Sequence, residues 1–253
     1  MCVYRRILGF FAELLTLEET NLIAHWDAMN HTSTIVDDDG KVEIWVDTVN
    51  EYDVKAGIGN RPLYVANAIN DFPAIDFTGS NIGLISDIKY SVGPNNPFTW
   101  IMAVRPTSNS GWKNIFTTSD NNWDGLNSGS GYYPISASYD GIHGWSTPSD
   151  LTGNDLPDDT LTIYTVWYDG NNAKIYWGDS MKAEMTPTSW DRGPIGYVAM
   201  GFGVQNAGHD YSGYIGEVLA YDTALGTDVL NNMISAMTTK WTSGGLWVES
   251  GMC

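Results

Sequence analysis

The sequence predicts an all-β fold, an antiparallel jelly-roll β-sandwich closed by one C-terminal helix. Three observations lead to this prediction. Short apolar runs of strand length recur along most of the 253 residues, separated by clusters of Gly, Asn, Asp and Ser. Trp (11) and Tyr (14) are abundant, which is typical of strands. A helical spacing of apolar residues recurs only near the two ends of the chain, so many short strands must pack as a sandwich.

The strands can be followed in chain order. The first is predicted at 22–28, and DDDG (37–40) is a turn before the alternating KVEIWVD (41–47). PFTWIMAVRP (97–106) is apolar almost throughout, which predicts burial on both faces. TIYTVWYDGNNAKIYWGD predicts a hairpin across residues 169–172. The other candidates are RPLYVAN, FPAIDFTG, IGLIS, NIFTTSD, YPISASYDGIHGW, GYVAMGFG and YSGYIGEVLAYD.

The two ends of the chain depart from the strand pattern. Near the C-terminus, apolar residues from Val229 to Trp241 follow a helical period up to Gly244-Gly245, and we expect this helix against one edge of the sandwich. Residues 1–20 carry a second apolar stripe and form either a docking or oligomerisation arm or a helix capping the domain's own core. The sandwich is therefore assigned to 21–243 and a tail to 244–253. Cys2 and Cys253 fit accidental or intermolecular thiols.

The charge excludes several partners. The net charge is -18, so a phosphate-binding cationic surface is not available, and neither nucleic-acid binding nor attraction to anionic membranes is expected. No apolar run reaches the length of a membrane span, so membrane insertion is not expected either. An acidic exterior suits a neutral glycan or calcium as partner, or serves solubility alone.

Five segments in order resemble the concanavalin A-like lectin/glucanase jelly roll, in the laminin-G-like form common in phage and bacterial proteins. They are LIAHWDAMN (22–30), GKVEIWVD (40–47), RPLYV (61–65), PAIDFTG (73–79), and YSGYIGEVLAYDTAL (211–225) with the helix ending in KW (240–241). The resemblance implies a jelly-roll fold over about residues 20 to 242. It leaves function open, because this family includes lectins, hydrolases and adhesion modules.

The candidate catalytic carboxylates lack partners in the sequence. The glucanases that the chain resembles place Glu-x-Asp-x-Glu on one strand face, whereas period 2 puts Glu217 beside Ile215 and Leu219. We therefore expect Glu217 to accept hydrogen bonds from backbone N–H groups or a hydroxyl where sheet meets helix. Glu43 and Asp47 share a face but flank Trp45, and the resemblance marks Gly-x-Val-x-x-Trp-x-Asp, which ends at Asp47, as a structural signature. With no histidine in a triad context, the chain is expected to be non-enzymatic.

Two loops carry the predicted binding sites. Asp120, Asn122 and Asp124 match the first half of a calcium loop, D-x-N-x-D-G, although position 131 is Gly where a bidentate acid belongs. No cofactor is otherwise required. A glycan site needs an aromatic platform with amides and carboxylates beside it. The candidates for that site are Trp123, Asp124, Asn127, Tyr132 and Tyr133 from one loop, and Gln205, Asn206 and His209 from another.

The leading hypothesis is a non-enzymatic virion structural protein, such as a capsid decoration, head fibre or tail component. Its lectin-like domain would serve structure or attachment to a cell-surface glycan. It would bind other virion proteins and copies of itself, and assemble in the host cytoplasm, because no export signal is evident. The alternatives are a stand-alone carbohydrate-binding protein and a glycan depolymerase whose carboxylates come from separate strands.

Overall fold

Two antiparallel β-sheets form the body of the protein. The computed structural model describes residues 20–56, 60–80, 82–91, 96–108, 110–119, 135–139, 141–144, 151–152, 155–186, 195–201 and 209–243. Within these ranges it contains seventeen strands and one α-helix, which confirms the predicted all-β sandwich with a C-terminal helix. The arm, except Thr20, and the tail lie outside the described residues, so the domain boundaries stay predictions.

The strands follow the chain in short segments. In order they are β1 (Leu22–Asp27), β2 (Thr34–Val36), β3 (Val42–Trp45), β4 (Val54–Ala56), β5 (Leu63–Ile69), β6 (Phe72–Asp76), β7 (Leu84–Ser91), β8 (Phe98–Pro106), β9 (Asn114–Ser119), β10 (Ile135–Ser138), β11 (Gly141–Gly144), β12 (Leu151–Thr152), β13 (Thr162–Tyr168), β14 (Ala173–Trp177), β15 (Ser180–Met185), β16 (Ile195–Met200) and β17 (Gly213–Tyr221). The helix α1 covers Thr227–Thr242.

The strand order places β8 and β17 at the centre of the first sheet. That sheet runs β15-β14-β13-β8-β17-β6-β5, with β1 also paired to β17, and the second runs β12-β11-β10-β9-β16-β7-β4-β3-β2. The predicted hairpin is β13–β14. Alternate residues of β8, including Trp100 and Met102, face the core between the sheets, while Ile101 and Ala103 face α1. The prediction that β8 is buried on both faces is therefore confirmed.

Helix α1 packs on the outer face of the first sheet. Its buried side chains, from Leu230 to Trp241, form a second apolar core with Ile101, Leu219 and Tyr221 of the sheet. The sequence placed this helix against an edge of the sandwich, and that placement is wrong. The apolar residues of β8 and β17 that do not face the inter-sheet core lie at the centre of the sheet's outer face. A helix can bury them only by packing on that face, and not at an edge.

Tryptophans that lie within strands are interpreted as packing residues. Trp26, Trp45 and Trp100 are completely buried between the sheets. Trp167 and Trp177 are only partly buried, although each still packs against an apolar core. The packing interpretation therefore holds for the first three and in part for the last two.

Candidate functional site

Most residues predicted to bind glycan or calcium lie outside the described residues. These are Trp123, Asp124, Asn127, Tyr132, Tyr133, Gln205 and Asn206 for the glycan, and Asp120, Asn122 and Asp124 for calcium. His209 is the one member of the predicted sites that the structure describes. Its surroundings therefore define the candidate glycan site.

His209 stacks on Trp112, a residue that the sequence interpretation did not select. The two ring centroids are 4.5 Å apart and the ring planes differ by 17°. The indole Nε1 of Trp112 donates a hydrogen bond of 2.6 Å to Oδ1 of Asn114, and Ser138 Oγ donates to the same oxygen at 3.0 Å. Trp112 and His209 are both half-buried. We call Trp112, Asn114, His209 and Asp210 the Trp112 cluster.

Strand ends bring the Trp112 cluster together. Asn114 begins β9 and forms an isolated parallel bridge with Asp210, just before β17. Gly201, which follows β16, donates its N–H to Ile115 O and accepts a hydrogen bond from Tyr211 N–H. Trp112 stands in a Ser/Gly-containing turn rather than in an alternating strand, and this difference from the core tryptophans is the signal that could have identified it.

Two tyrosines close to the Trp112 cluster, Tyr139 and Tyr211, are influenced by nearby aspartates. The segment 155–159 runs beside Tyr139, because Leu156 N–H donates to Tyr139 O at 3.0 Å. Burial, followed by the charges of Asp158 and Asp155, raises the pKa of Tyr139 to about 12. Burial and Asp158 also raise the pKa of Tyr211 well above its usual value. This end of the sandwich is therefore acidic.

A second polar cluster lies under the C-terminal end of α1. Glu217 Oε1 accepts a hydrogen bond from His25 Nε2 at 2.8 Å. Its other oxygen, Oε2, accepts from Lys240 Nζ and from Trp241 Nε1, each at 2.8 Å. Lys240 Nζ also donates to Asp27 Oδ2 at 2.8 Å. We call Asp27, His25, Glu217 and Lys240 the Glu217 cluster.

A β-bulge decides which way Glu217 points. The register shifts between Ile215 and Glu217, so Ile215 faces the inter-sheet core while Glu217 faces α1 with Leu219. Strict alternation had put Ile215 and Glu217 on one face, and that expectation is wrong. The expected donors were wrong as well, because Glu217 accepts its hydrogen bonds from the side chains of His25, Lys240 and Trp241.

Asp27 is the second acid that the sequence did not reveal. The antiparallel register of β1 and β17 pairs Asp27 directly with Glu217. Burial acts to raise the pKa of Glu217. The charges and hydrogen bonds of Lys240 and His25 outweigh burial and lower this pKa to about 2. Burial and then the charge of Glu217 raise the pKa of Asp27. Burial lowers the pKa of Lys240, yet the two carboxylates raise it overall.

The Glu217 cluster is closed to large ligands. The side chain of Glu217 is 3% exposed, and those of Asp27 and Lys240 are 15% and 14% exposed. His25, Asp27 and Glu217 offer ligand atoms within 4.8 Å of one another, a set that fits a metal ion. Lys240 already supplies a positive charge between the two carboxylates. We therefore interpret the cluster as a clamp between sheet and helix.

Glu43 and Asp47 do not form an acid pair. Glu43 Oε1 accepts a hydrogen bond of 2.9 Å from Arg61 at the surface. Asp47 is buried and accepts hydrogen bonds from the backbone N–H groups of four residues, which are His25, Val49, Asn50 and Tyr52. Asp47 thus holds a loop against β1, in agreement with its expected structural role.

Comparisons with known proteins identify the fold but no family. No protein-family model and no curated protein matches the chain. The chain is similar to a Trypanosoma rangeli sialidase in complex with sialic acid, with a TM-score of 0.62 and 12% identity, over 93% of this chain and 38% of the sialidase. A covalent intermediate of that sialidase with 2,3-difluorosialic acid gives a TM-score of 0.59 and 11% identity, over 88% and 34% of the two chains. The chain therefore spans little more than a third of the sialidases' length.

A shorter solved structure matches along almost its whole length. It is domain 4 of AbnA, a GH43 extracellular arabinanase from Geobacillus stearothermophilus, in complex with arabinotriose. The TM-score is 0.58 and the identity 16%, over 85% of this chain and 98% of that domain. The chain thus shares a β-sandwich fold with proteins that act on or bind carbohydrate.

These structures contradict the expectation of a non-enzymatic protein. Chains that share the fold include sialidases and a domain of a GH43 arabinanase, and these enzymes are glycoside hydrolases. The expectation rested on the missing Glu-x-Asp-x-Glu pattern within one strand. Asp27 and Glu217 show why that reason is insufficient, since two carboxylates meet here across separate strands.

Other expectations stay predictions. These are the virion location, the binding of copies of the chain or of other virion proteins, the calcium loop and the absence of nucleic-acid binding. Within the described residues, no helix is both long enough and apolar enough to cross a membrane.

Proposed function

We propose that this chain is a carbohydrate-binding module of a carbohydrate-active protein, and that it binds its saccharide at the Trp112 cluster. The observation that carries the proposal is the half-buried Trp112–His209 stack, with the exposed carboxylates of Asp155 and Asp158 on a neighbouring segment. Saccharides bind proteins by laying an apolar ring face on an aromatic side chain while nearby polar groups bind the hydroxyls.

The arabinanase domain supports this proposal. This chain spans 98% of that domain, which was solved with arabinotriose bound. A β-sandwich of this size therefore suffices to bind an oligosaccharide. The two loops predicted to bind glycan, 123–133 and 205–209, flank the Trp112 cluster in sequence, because 123–133 follows β9 and 205–209 ends at His209.

The test is oligosaccharide binding by the wild type and by Trp112→Ala, measured by calorimetry after a glycan array has identified a ligand. Loss of a stacking platform should weaken binding on the order of tenfold or more, which corresponds to about 1.4 kcal/mol. Trp177→Ala is the matched control, since Trp177 is also partly buried but lies in the β13–β14 hairpin. Equal affinity in the two variants would show that Trp112 is not the platform, and an array without any bound glycan would refute the function itself.

Glycoside hydrolysis is a second candidate, and one observation favours it. Asp27 and Glu217 are adjacent carboxyl groups whose pKa values move in opposite directions, as in an acid paired with a carboxylate. The low exposure of Glu217 argues against substrate reaching it. Reducing-sugar release from polysaccharides by the wild type, and its loss in Asp27→Asn, would establish this activity.

The sequence resemblance adds a finer hypothesis, that such a module is a component of a phage particle. Its copy number and position in a purified particle would test that location, independently of whether saccharide binds.

A further inference from the structure

The charges around the Trp112 cluster favour one class of saccharide. The described segments that meet there, 105–108, 110–114, 138–139, 155–160 and 209–213, contain four aspartates against one lysine and one arginine. Asp155 and Asp158 are exposed, whereas Asp210 is buried next to Asn114. A ligand approaching this end of the sandwich therefore meets an excess of two negative charges, within a chain whose net charge is -18.

The arginines of the described residues are already engaged. Arg61 donates to the carboxylates of Asp37 and Glu43. Arg105 donates to Ala68 O at 2.7 Å and faces Asp159 at 3.5 Å. A saccharide carboxylate is best bound by a paired guanidinium, so within this part of the chain no arginine is placed to bind one.

The aspartates suit hydroxyl groups instead. An ionised carboxylate only accepts hydrogen bonds, and each sugar hydroxyl carries one proton to donate. The high pKa of Tyr139, to which Asp158 and Asp155 contribute after burial, shows that these charges act on neighbouring groups. An anionic ligand beside Asp155 and Asp158 would be repelled by their negative charges.

We infer that the ligand of the Trp112 cluster is a neutral oligosaccharide, and that saccharides bearing a carboxylate are rejected. This inference rests on the proposed function and narrows it. It also separates the two kinds of structural neighbour, since one holds arabinotriose, a neutral sugar, and the others hold sialic acid or an analogue of it.

The experiment compares neutral saccharides with acidic counterparts on one array, at low and at high salt. Pairs include lactose with sialyllactose and xylo-oligosaccharides with and without a glucuronic acid branch, and arabinotriose is added as a neutral probe. At low salt the acidic member of a recognised pair should bind about tenfold more weakly, and high salt should narrow that gap while leaving neutral binding within about twofold.

Charge variants locate the effect. Asp155→Asn with Asp158→Asn should reduce the discrimination against the acidic member on the order of threefold at low salt. The matched control, Asp222→Asn with Asp228→Asn, removes two exposed charges that follow the opposite end of β17, where Tyr221 pairs with Thr99, and should leave the discrimination unchanged. Asparagine can still accept the hydrogen bond that Tyr139 shares with Asp158, so the fold is preserved.

The outcomes separate this inference from the proposed function. Binding confined to carboxylate-bearing saccharides, or a discrimination equal in both double variants, would overturn the neutral-ligand inference while the module remains a saccharide binder. An array on which neither class binds would overturn both. Selective binding of neutral members, with the discrimination reduced only by changes at 155 and 158, would support it.

Discussion

Replacing Glu217 with glutamine tests whether the Glu217 cluster fastens α1 to the first sheet. The change removes one negative charge and almost no volume. Lys240 would keep Asp27 at 2.8 Å but lose its second carboxylate, and His25 would face an amide instead of a carboxylate. Trp241 Nε1 can still donate to the amide oxygen, so packing at the end of the helix is retained.

The size of the effect follows from the pKa of Glu217. Its fall from 4.5 to about 2 means that the folded state stabilises the ionised form by about 3 kcal/mol. The loss of stability in Glu217→Gln should be smaller than this value, because the change also removes the repulsion by which Glu217 raises the pKa of Asp27. We therefore expect the free energy of unfolding to drop by about 2–3 kcal/mol, near the lower end for breaking a buried ion pair.

The measurement is urea unfolding at pH 7, followed by tryptophan fluorescence. Glu43→Gln is the matched control, because its ion pair with Arg61 has side chains 45% and 41% exposed and should contribute at most about 0.5 kcal/mol. Combining Glu217→Gln with Lys240→Met should cost less than the sum of the single changes. A loss under about 1 kcal/mol in Glu217→Gln, or strict additivity with Lys240→Met, would refute the clamp.

Two further predictions concern the same end of the sheet. Because the pKa of Glu217 is lowered, its stabilising contribution is complete above 4.5 and is lost as the pH falls toward about 2, whereas Asp27, with a raised pKa, acts in the opposite direction. The free energy of unfolding of the wild type should therefore fall more steeply across this pH range than that of Glu217→Gln. Parallel curves of unfolding free energy against pH would contradict the lowered pKa of Glu217. A Cβ on Gly216 would lie 2.2 Å from the Trp241 ring, so Gly216→Ala should cost about 2 kcal/mol by thermal unfolding. Gly226→Ala, with no atom within 4 Å, should cost less than about 0.5 kcal/mol, and equal losses would exclude the clash.

Local sequence patterns were sufficient to predict several of the secondary-structure elements. The apolar stretch 97–106 became β8 and is buried on both faces, the Asp-Gly-Asn-Asn turn became the β13–β14 connection, and the spacing from Val229 to Trp241 became α1. Each of these signals lies within one segment of chain, where period and turn residues act directly on the backbone. The position of α1 on a sheet face was missed, because it depends on which strands stand at the sheet centre.

The candidate sites depended on pairing that no local pattern contains. Trp112 and His209 stack although they are far apart in sequence, and the turn around Trp112 has no alternation to mark it. Glu217 seemed isolated because only its own strand was considered. Its actual partners arrive through the register of β1 with β17, shifted by a bulge at Gly216, and through the last turn of α1.

The fold class, many of the strand segments, the helix and the excess of negative charge could all be predicted from the amino-acid sequence. These properties follow from composition and short-range periodicity, which act over a few residues. The contacts of Glu217 and the membership of the Trp112 cluster depend instead on the three-dimensional arrangement of the strands. His25 and Glu217 are separated by 192 positions, and hydrogen bonds across such a distance exist only once the sheet order and strand register are set.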